Sequence, residues 1–197
     1  MCGRYFCYDE TAYEAEDELG FGRGTISTGS GDITPGMATP GIICSKTDDK
    51  ALSVSELLWG IMSRDKKLII NARAESVSEI SMFSDCIRNR RCILPATGFY
   101  EWDKDKTKFR FTRADAKPVY LAGFYDMNRN RDCFVILTTA ANRSMEPVHD
   151  RMPVMIDKSR IRDYLKDPLA ALDMIKEPMP ELTGSSDYQQ LSLQFIK

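Results

Sequence analysis

The second residue of the chain is a cysteine, in the opening stretch MCGRYFC. Once Met1 is removed, Cys2 carries two nucleophiles on one residue, a thiol and a free α-amine. The reference pKa of an α-amine is about 7.7–8.0 and that of a thiol about 8.5, so both groups are partly reactive near neutral pH. Such a residue can attack an amide as an N-terminal nucleophile, or it can condense with an aldehyde. The rest of the chain must distinguish these two reactions.

Four polar patches interrupt otherwise apolar strands: MCGR, NARAES, GFYEW and VHDRMP. Because polar groups that are buried or lie at strand ends need partners, we expect the four patches to meet in one cleft. If they converge, their arginines form a basic pocket that the overall charge conceals. The residues that could do chemistry or bind an anion are Cys2, Arg4, Asn71, Arg73, Glu101, His149 and Arg151.

Each of these residues also has a plainer explanation, which the residues alone leave open. Alternation along a strand would turn Glu101 towards solvent, whereas a partly buried position would suit it to acid–base catalysis. Arg73 and Glu75 could form an exposed salt bridge worth about 0–1 kcal/mol. His149 could be a loop histidine with Asp150 as its partner.

Trp59 and the cysteine and histidine residues limit which ligands the site can bind. Trp59 precedes Gly60 and is favoured as a core residue; if it is exposed near the cleft, it offers a surface on which a base can stack. The six cysteines form no CxxC pair and the chain has a single histidine, so we expect no zinc site, no other metal and no cofactor.

Size and composition favour an ordinary globular protein. The chain has 197 residues, of which 43% are hydrophobic and 28% charged, and its formal net charge is −2. This charge argues against binding nucleic acid through bulk positive charge. No apolar run approaches the ~18 residues of a membrane-spanning helix, and the N-terminus lacks a signal-peptide pattern. We therefore expect a cytoplasmic protein that does not bind membranes.

Many short strands joined by turns, with few helices between them, predict an α+β fold with mainly antiparallel sheets. An acidic, helix-favouring composition predicts a helix over residues 9–19, and apolar spacing predicts one over 77–91. Two short helices are expected over 159–168 and 168–177. The alternating tail 188–197 predicts a last strand. No internal repeat is present, so we expect one domain.

The patches occur in an order that resembles one known family. The segments MCGR, ITPG, LLWGIM, NARAES, RCILPATGFYEW, LAGFY, ILTTAAN and HDRMPV, from Cys2 to about Ile156, are similar to those of the SOS response-associated peptidase (SRAP) family. The resemblance is specific because several motifs recur in order with compatible spacing. It implies one SRAP-like domain over residues 1–197, with antiparallel sheets forming a pseudo-barrel and a few peripheral helices.

The resemblance also implies a function and a set of site residues. Family members recognise abasic sites in single-stranded DNA and cross-link to them covalently through the N-terminal cysteine. By position, the catalytic residues of the family fall on Cys2, Asn71, Glu101 and His149. The arginines that contact DNA fall on Arg4, Arg73 and Arg151, and the apolar positions that line the DNA cleft fall on Trp59 and Pro35.

From these expectations we predict that mature Cys2 forms a thiazolidine with the aldehyde of an abasic site, and that the protein acts as a monomer. Two alternatives stay open. Class II glutamine amidotransferases also begin Met-Cys-Gly, so the chain could be an N-terminal-nucleophile amidohydrolase, although the His- and Gly-rich segments of those enzymes are missing. It could also be a non-catalytic DNA-binding module in which Cys2 is incidental.

Overall fold

A computed structural model describes residues 2–26, 31–47, 51–127 and 131–186. The strands are β1 (Arg4–Cys7), β2 (Gly31–Ile33), β3 (Ala38–Cys44), β4 (Leu52–Trp59), β5 (Ile61–Met62), β6 (Leu68–Ile69), β7 (Asn71–Arg73), β8 (Arg91–Ala96), β9 (Gly98–Trp102), β10 (Lys108–Thr112), β11 (Val119–Met127), β12 (Asp132–Ala140), β13 (Arg151–Pro153) and β14 (Thr183–Ser186). The helices are α1 (Asp9–Leu19), α2 (Ser84–Asn89), α3 (Ile161–Lys166) and α4 (Pro168–Met174), with a 3₁₀ turn at Lys158–Arg160.

The first sheet has five strands in the order β14-β10-β9-β1-β2, and every pair is antiparallel. The N-terminal strand β1 is therefore internal, with β2 on one side and β9 on the other. Tyr5 lies opposite Phe99, and both side chains are buried on the inner face. Because side chains alternate along a strand, the same face of β9 also carries Glu101.

The second sheet has seven strands in the order β11-β8-β3-β4-β12-β13, with β7 paired to β12. It curves so that β11 also pairs with β12, whereas β4 meets β12 through only Leu58 and Trp59. The mainly antiparallel α+β prediction is confirmed, and the sheet is an incomplete ring rather than a closed barrel. The parallel strands β7 and β12 bring Asn71 and Arg73 alongside Ile136 and Thr138.

Helices pack on the outside of the sheets. Helix α1 confirms the prediction over 9–19, and α3 and α4 confirm those near the C-terminus. The predicted helix 77–91 is wrong over its first half, where residues 74–83 form turns and only α2 is helical. Three serines in this stretch, Ser76, Ser78 and Ser81, compete with helical hydrogen bonds, which accounts for the turns. The predicted strand 188–197 lies outside the described residues.

One buried cluster joins the two sheets, with large side chains such as Trp59, Phe99 and Phe134 fully covered. Arg91 is also buried and donates hydrogen bonds to carbonyls at the ends of α2 and α3, including Ile87 and Leu165. In the part of the chain that the structure describes, no helix combines the length and apolar character needed to cross a membrane.

Candidate active site

Cys2 lies two residues before Arg4, the first residue of the internal strand β1, and is fully buried. Its Sγ donates a weak hydrogen bond to the backbone carbonyl oxygen of Arg4, at 3.9 Å. Burial raises the pKa of the Cys2 thiol well above its ordinary value, and the nearby charge of Glu101 raises it further. At neutral pH the thiol is therefore protonated, in the chain that still carries Met1.

Glu101 is buried on the inner face of β9, with 3% of its surface exposed. The solvent-facing position that strand alternation allowed is therefore wrong for this residue. Strand alternation alone could not decide which face of β9 carries Glu101, because both faces of GFYEW carry aromatic side chains. The pairing of Phe99 with the buried Tyr5 identifies the face shared by Phe99 and Glu101 as the inner one. The pairing of β1 with β9 brings Cys2 and Glu101 to the same end of the first sheet, where the charge of Glu101 raises the pKa of the Cys2 thiol.

Asn71 and Arg73 lie on β7, at the edge of the second sheet. The Asn71 Nδ2 atom is 3.5 Å from the Ile136 carbonyl oxygen, while its Oδ1 is buried and accepts no hydrogen bond from any described residue. An uncompensated buried acceptor is costly, so it marks a position where a ligand donor would be stabilised. Arg73 is exposed two residues further along the same strand.

His149 lies in the loop that enters β13. Its Nδ1 is 2.9 Å from the backbone nitrogen of Arg151 and also 2.9 Å from Oδ1 of Asp150. These contacts require opposite protonation states of Nδ1. The backbone amide can only donate, whereas the Asp150 side chain is 87% exposed and can turn to water, so we assign Nδ1 as the acceptor. This tautomer leaves the proton on Nε2, where it can be donated to a ligand.

Arg151 is held by a carboxylate rather than standing free. Its two terminal nitrogens lie 2.7 and 2.8 Å from the two carboxylate oxygens of Glu75, and Nη2 also donates to the Thr138 carbonyl at 2.6 Å. The bond from Arg151 lowers the pKa of Glu75 to about 2. Glu75 therefore pairs with Arg151 rather than with Arg73, the partner considered from the sequence. The pair spans β12 and connects β13 to the segment that follows β7.

Trp59 occupies the core position that its place before Gly60 favours, because no part of its side chain is exposed, and it therefore offers no open ring face on which a base could stack. Its ring lies 5.3 Å from that of Tyr5 and 5.9 Å from that of Phe134, and its Nε1 donates to the Ile70 carbonyl at 3.0 Å. Trp59 is thus a core residue that positions the backbone just before Asn71. Pro35 is half-buried in the turn whose Gly36 donates to the Trp59 carbonyl.

The predicted site residues form two groups. Cys2, Arg4 and Glu101 belong to the first sheet; Asn71, Arg73, His149 and Arg151 lie around the end of β12 in the second. The contacts Tyr5–Trp59 and Trp59–Ile70 connect the groups through the core. Sequence reasoning did not assign roles to Tyr5 or Thr138, and neither carries a signal beyond strand alternation.

No group of three or more His, Cys, Asp or Glu side chains within the described ranges is arranged to hold a metal ion. A cavity of about 250 Å³ lies elsewhere, lined by residues that include Met155, Met174 and Met179. It contains none of the predicted site residues, so its size says nothing about their chemistry.

Comparison with known proteins identifies the family. The family model described as SOS response associated peptidase (SRAP) matches residues 1–190. The chain belongs to the SRAP family. This confirms the resemblance carried by the sequence motifs, and it extends that resemblance past Ile156 to residue 190.

Relatives of this SRAP protein carry informative names. The chain is 27% identical over 194 residues to "Abasic site processing protein YoaM" of Bacillus subtilis, covering 89% of this chain and 84% of that protein. It is 29% identical over 185 residues to "Abasic site processing protein YedK" of Escherichia coli, covering 86% and 82%. A crystal structure of a Bordetella bronchiseptica protein, 23% identical, has a TM-score of 0.77 over 94% of this chain and 99% of that one, which shows a shared fold.

Proposed function

We propose that this protein processes abasic sites in single-stranded DNA and bonds to them covalently through Cys2 after Met1 is removed. The observation that carries the proposal is the burial of Cys2 beside Glu101, in a family whose relatives are named abasic site processing proteins. We further propose that it acts as a monomer in the cytoplasm and needs no cofactor.

The raised pKa of the Cys2 thiol supports an order for the two bond-forming steps. The α-amine attacks the open-chain aldehyde carbon C1′ of the abasic sugar, and loss of one water gives a Schiff base. The neutral thiol then adds across the C=N bond: sulfur bonds to C1′ and the thiol proton goes to nitrogen, which closes a five-membered thiazolidine. Both nucleophiles belong to one residue, so the closure has a high effective concentration.

The neighbouring residues have roles that this sequence of steps requires. Glu101 takes the proton lost by the attacking amine and returns it to the departing hydroxyl, which is general acid–base catalysis. His149 donates from Nε2 to the sugar oxygen or a phosphate. Asn71 accepts a hydrogen bond at Oδ1 from the amine or a sugar hydroxyl, which satisfies its buried acceptor.

The arginines are proposed to hold the phosphates on either side of the lesion. Arg73 is exposed and Arg4 is 38% exposed, so both can reach a phosphate directly. Arg151 already donates to both oxygens of Glu75, so it can contact a phosphate only by sharing its guanidinium with that carboxylate. Pro35 is proposed to line the cleft, whereas Trp59 acts from the core.

The decisive test is the intact mass of mature protein mixed with a single-stranded oligonucleotide containing one abasic site. We expect a heat-stable adduct equal to protein plus DNA minus one water. Cys2→Ala keeps the α-amine but loses the thiol, so it should give no heat-stable adduct and only an imine that borohydride traps. Lack of an adduct with the wild-type protein, or an equally stable one with Cys2→Ala, would refute the proposal.

Glu101→Gln tests the proton transfer. Loss of general acid–base catalysis should slow adduct formation about 100-fold or more. The control is Glu56→Gln, which changes an exposed carboxylate on β4 and should leave the rate unchanged. Equal rates for Glu101→Gln and wild type would remove Glu101 from this role.

The intact protein masses also show whether Met1 has been removed, which tests the peptidase activity in the family's description. Aminopeptidases accept either Cys or Ala as a second residue, so Met1 should be removed from both the wild type and Cys2→Ala if an aminopeptidase acts. Retention of Met1 in Cys2→Ala alone would assign its removal to self-cleavage. A glutaminase assay addresses the amidohydrolase alternative, for which we expect no turnover.

A further inference from the structure

The five-stranded sheet has a second face, opposite to the one that carries Tyr5, Phe99 and Glu101. Strand alternation and the pairing of β1, β9 and β10 place six large side chains on it. We call it the outer face, and its members are Arg4, Phe6, Tyr100, Trp102, Lys108 and Arg110. Tyr8 extends it beyond the end of β1.

Cations lie over aromatic rings across this outer face. The Lys108 Nζ is 3.8 Å from the ring centre of Tyr100, and the Arg110 guanidinium carbon is 4.6 Å from that of Phe6 and 5.7 Å from that of Tyr8. The Arg4 guanidinium lies 5.6 Å from the Trp102 ring. Cation–π pairs occur about once per 70–80 residues, so four on one sheet face is a marked concentration.

The charge of the outer face is opposite to that of the whole protein. Three of its side chains are cationic, and the carboxylate paired with them is Asp32, at 3.4 Å from Arg4. The chain as a whole carries −2. Arg110 is exposed and Tyr8 is 36% exposed, so both a cation and a ring are open to a ligand.

The outer face reaches the candidate active site at one end of the first sheet, although Glu101 itself points to the opposite, inner face. Trp102 directly follows Glu101 on β9, and Arg4 is two residues from Cys2. From Trp102 to Gly98, the strand extends about 13 Å away from these two residues. A chain of nucleotides that leaves the lesion at Cys2 would pass around this end of the sheet, at Arg4 and Trp102, before it follows β9 and β10.

We propose that the outer face binds the single-stranded DNA on one side of the abasic site. Lys108 and Arg110 neutralise phosphates, and Tyr8 and Trp102 offer ring faces on which unpaired bases stack, a combination typical of single-strand binding without base preference. This inference rests on the proposed function, since it requires the lesion to lie at Cys2. It adds two cations and one aromatic ring that the family motifs do not contain.

The test uses equilibrium binding of oligonucleotides with a tetrahydrofuran abasic analogue, which has no aldehyde and cannot cross-link. One probe has about three nucleotides, and two others are extended to about twelve on the 5′ or the 3′ side only. The variant is Lys108→Gln/Arg110→Gln, which keeps long aliphatic stems over the rings. Arg162→Ala/Lys176→Ala removes two exposed charges elsewhere and is the matched control.

For one of the extended probes, we expect the variant to bind about 25-fold more weakly at 0.1 M salt, with the salt slope reduced by about 1.4. The short probe and the other extended probe should bind as they do to wild type, and Lys108→Arg/Arg110→Lys should restore the slope. An unchanged slope on both extended probes, or an equal loss in the control, would overturn the inference.

A second measurement separates this inference from the proposed function. A short oligonucleotide with a natural abasic aldehyde should cross-link to wild type and variant at the same saturating rate. If neither protein forms the adduct, the proposed function fails. If both form it and the length dependence is unchanged, only the role of the outer face fails. A thermal melt equal to wild type shows that the variant remains folded.

Discussion

The ion pair between Glu75 and Arg151 offers a sharp test of how the second sheet is held at the site. We consider Glu75→Gln, which keeps the shape of the side chain and removes its charge. Arg151 has 13% of its side chain exposed and Glu75 has 49%, so the pair lies between an exposed pair worth about 0–1 kcal/mol and a buried one whose disruption costs about 3–5 kcal/mol. We therefore expect the free energy of unfolding to fall by about 1–2 kcal/mol.

The pKa of Glu75 gives a separate bound on this magnitude. A carboxyl group with a pKa of about 2 when folded and an ordinary value of 4.5 when unfolded would contribute about 3.4 kcal/mol without screening. Because half of the Glu75 side chain is in water, the screened contribution must be smaller, in agreement with about 1–2 kcal/mol. For a chain of this size, that loss lowers Tm by about 2–8 °C.

The pH dependence has a defined sign. The folded pKa of Glu75 lies below the unfolded one, so the pair stabilises the protein fully above about pH 5, and this contribution is lost as the pH falls towards 2. Urea unfolding of wild type and Glu75→Gln at pH 7 and pH 3 measures the difference at each pH. It should be full at pH 7 and smaller at pH 3.

The control for this prediction is Glu79→Gln, an exposed carboxylate in the same turn segment. The reasoning is refuted if Glu75→Gln loses no more stability than Glu79→Gln, or if its deficit is as large at pH 3 as at pH 7. The same variant also probes DNA binding. If Arg151 must share its guanidinium with Glu75, removal of the carboxylate should strengthen binding of the abasic analogue and steepen the salt slope by about 0.7.

Three further substitutions test the packing around the site. Trp59→Phe removes the donor to the Ile70 carbonyl and should lower the free energy of unfolding by about 1–3 kcal/mol. It should also slow cross-linking and leave the salt slope of DNA binding unchanged. A cross-linking rate equal to or faster than that of wild type would argue against a positioning role. Arg91→Met leaves carbonyls at two helix ends without donors and should lower the free energy of unfolding, measured in urea, by about 2–4 kcal/mol. A decrease of less than about 0.5 kcal/mol would contradict the capping role. Gly98→Ala would drive a Cβ into the Phe111 carbonyl oxygen, so we expect little folded protein by circular dichroism, and a Tm close to wild type would show that the strands can separate there.

Local patterns in the sequence were sufficient for most strands and for three of the four helices. They failed where the deciding contact is distant. The inward orientation of Glu101 depends on the pairing of Phe99 with Tyr5, which is 94 residues away along the chain. The partner of Glu75 is Arg151, 76 residues away, and the nearer Arg73 was the candidate that a local reading offers.

Trp59 also shows that sequence patterns do not determine which distant residues a side chain contacts. The sequence favoured a core position, whereas position in the family motif suggested contact with DNA. Trp59 is the last residue of β4, where that strand pairs with β12 over a short parallel stretch. Its indole N–H reaches the Ile70 carbonyl, so it affects the site through the backbone of the next residue, Asn71. A motif position fixes location in the fold, and packing decides what the side chain touches.

The N-terminus of this chain behaves unlike most termini, which fray because few contacts hold them. Here β1 is paired on both sides, and Tyr5 is fixed by ring contact with Trp59 and by a 3.3 Å hydrogen bond to Thr39. In the proposed reaction, a nucleophile at a frayed terminus would lose orientational entropy, whereas Cys2 is already buried before a strand that is paired on both sides. The internal position of β1 thus gives a terminal residue the rigidity that catalysis ordinarily obtains from the middle of a chain. The proposed reaction requires removal of Met1 on chemical grounds, because only a free α-amine on Cys2 can form the Schiff base.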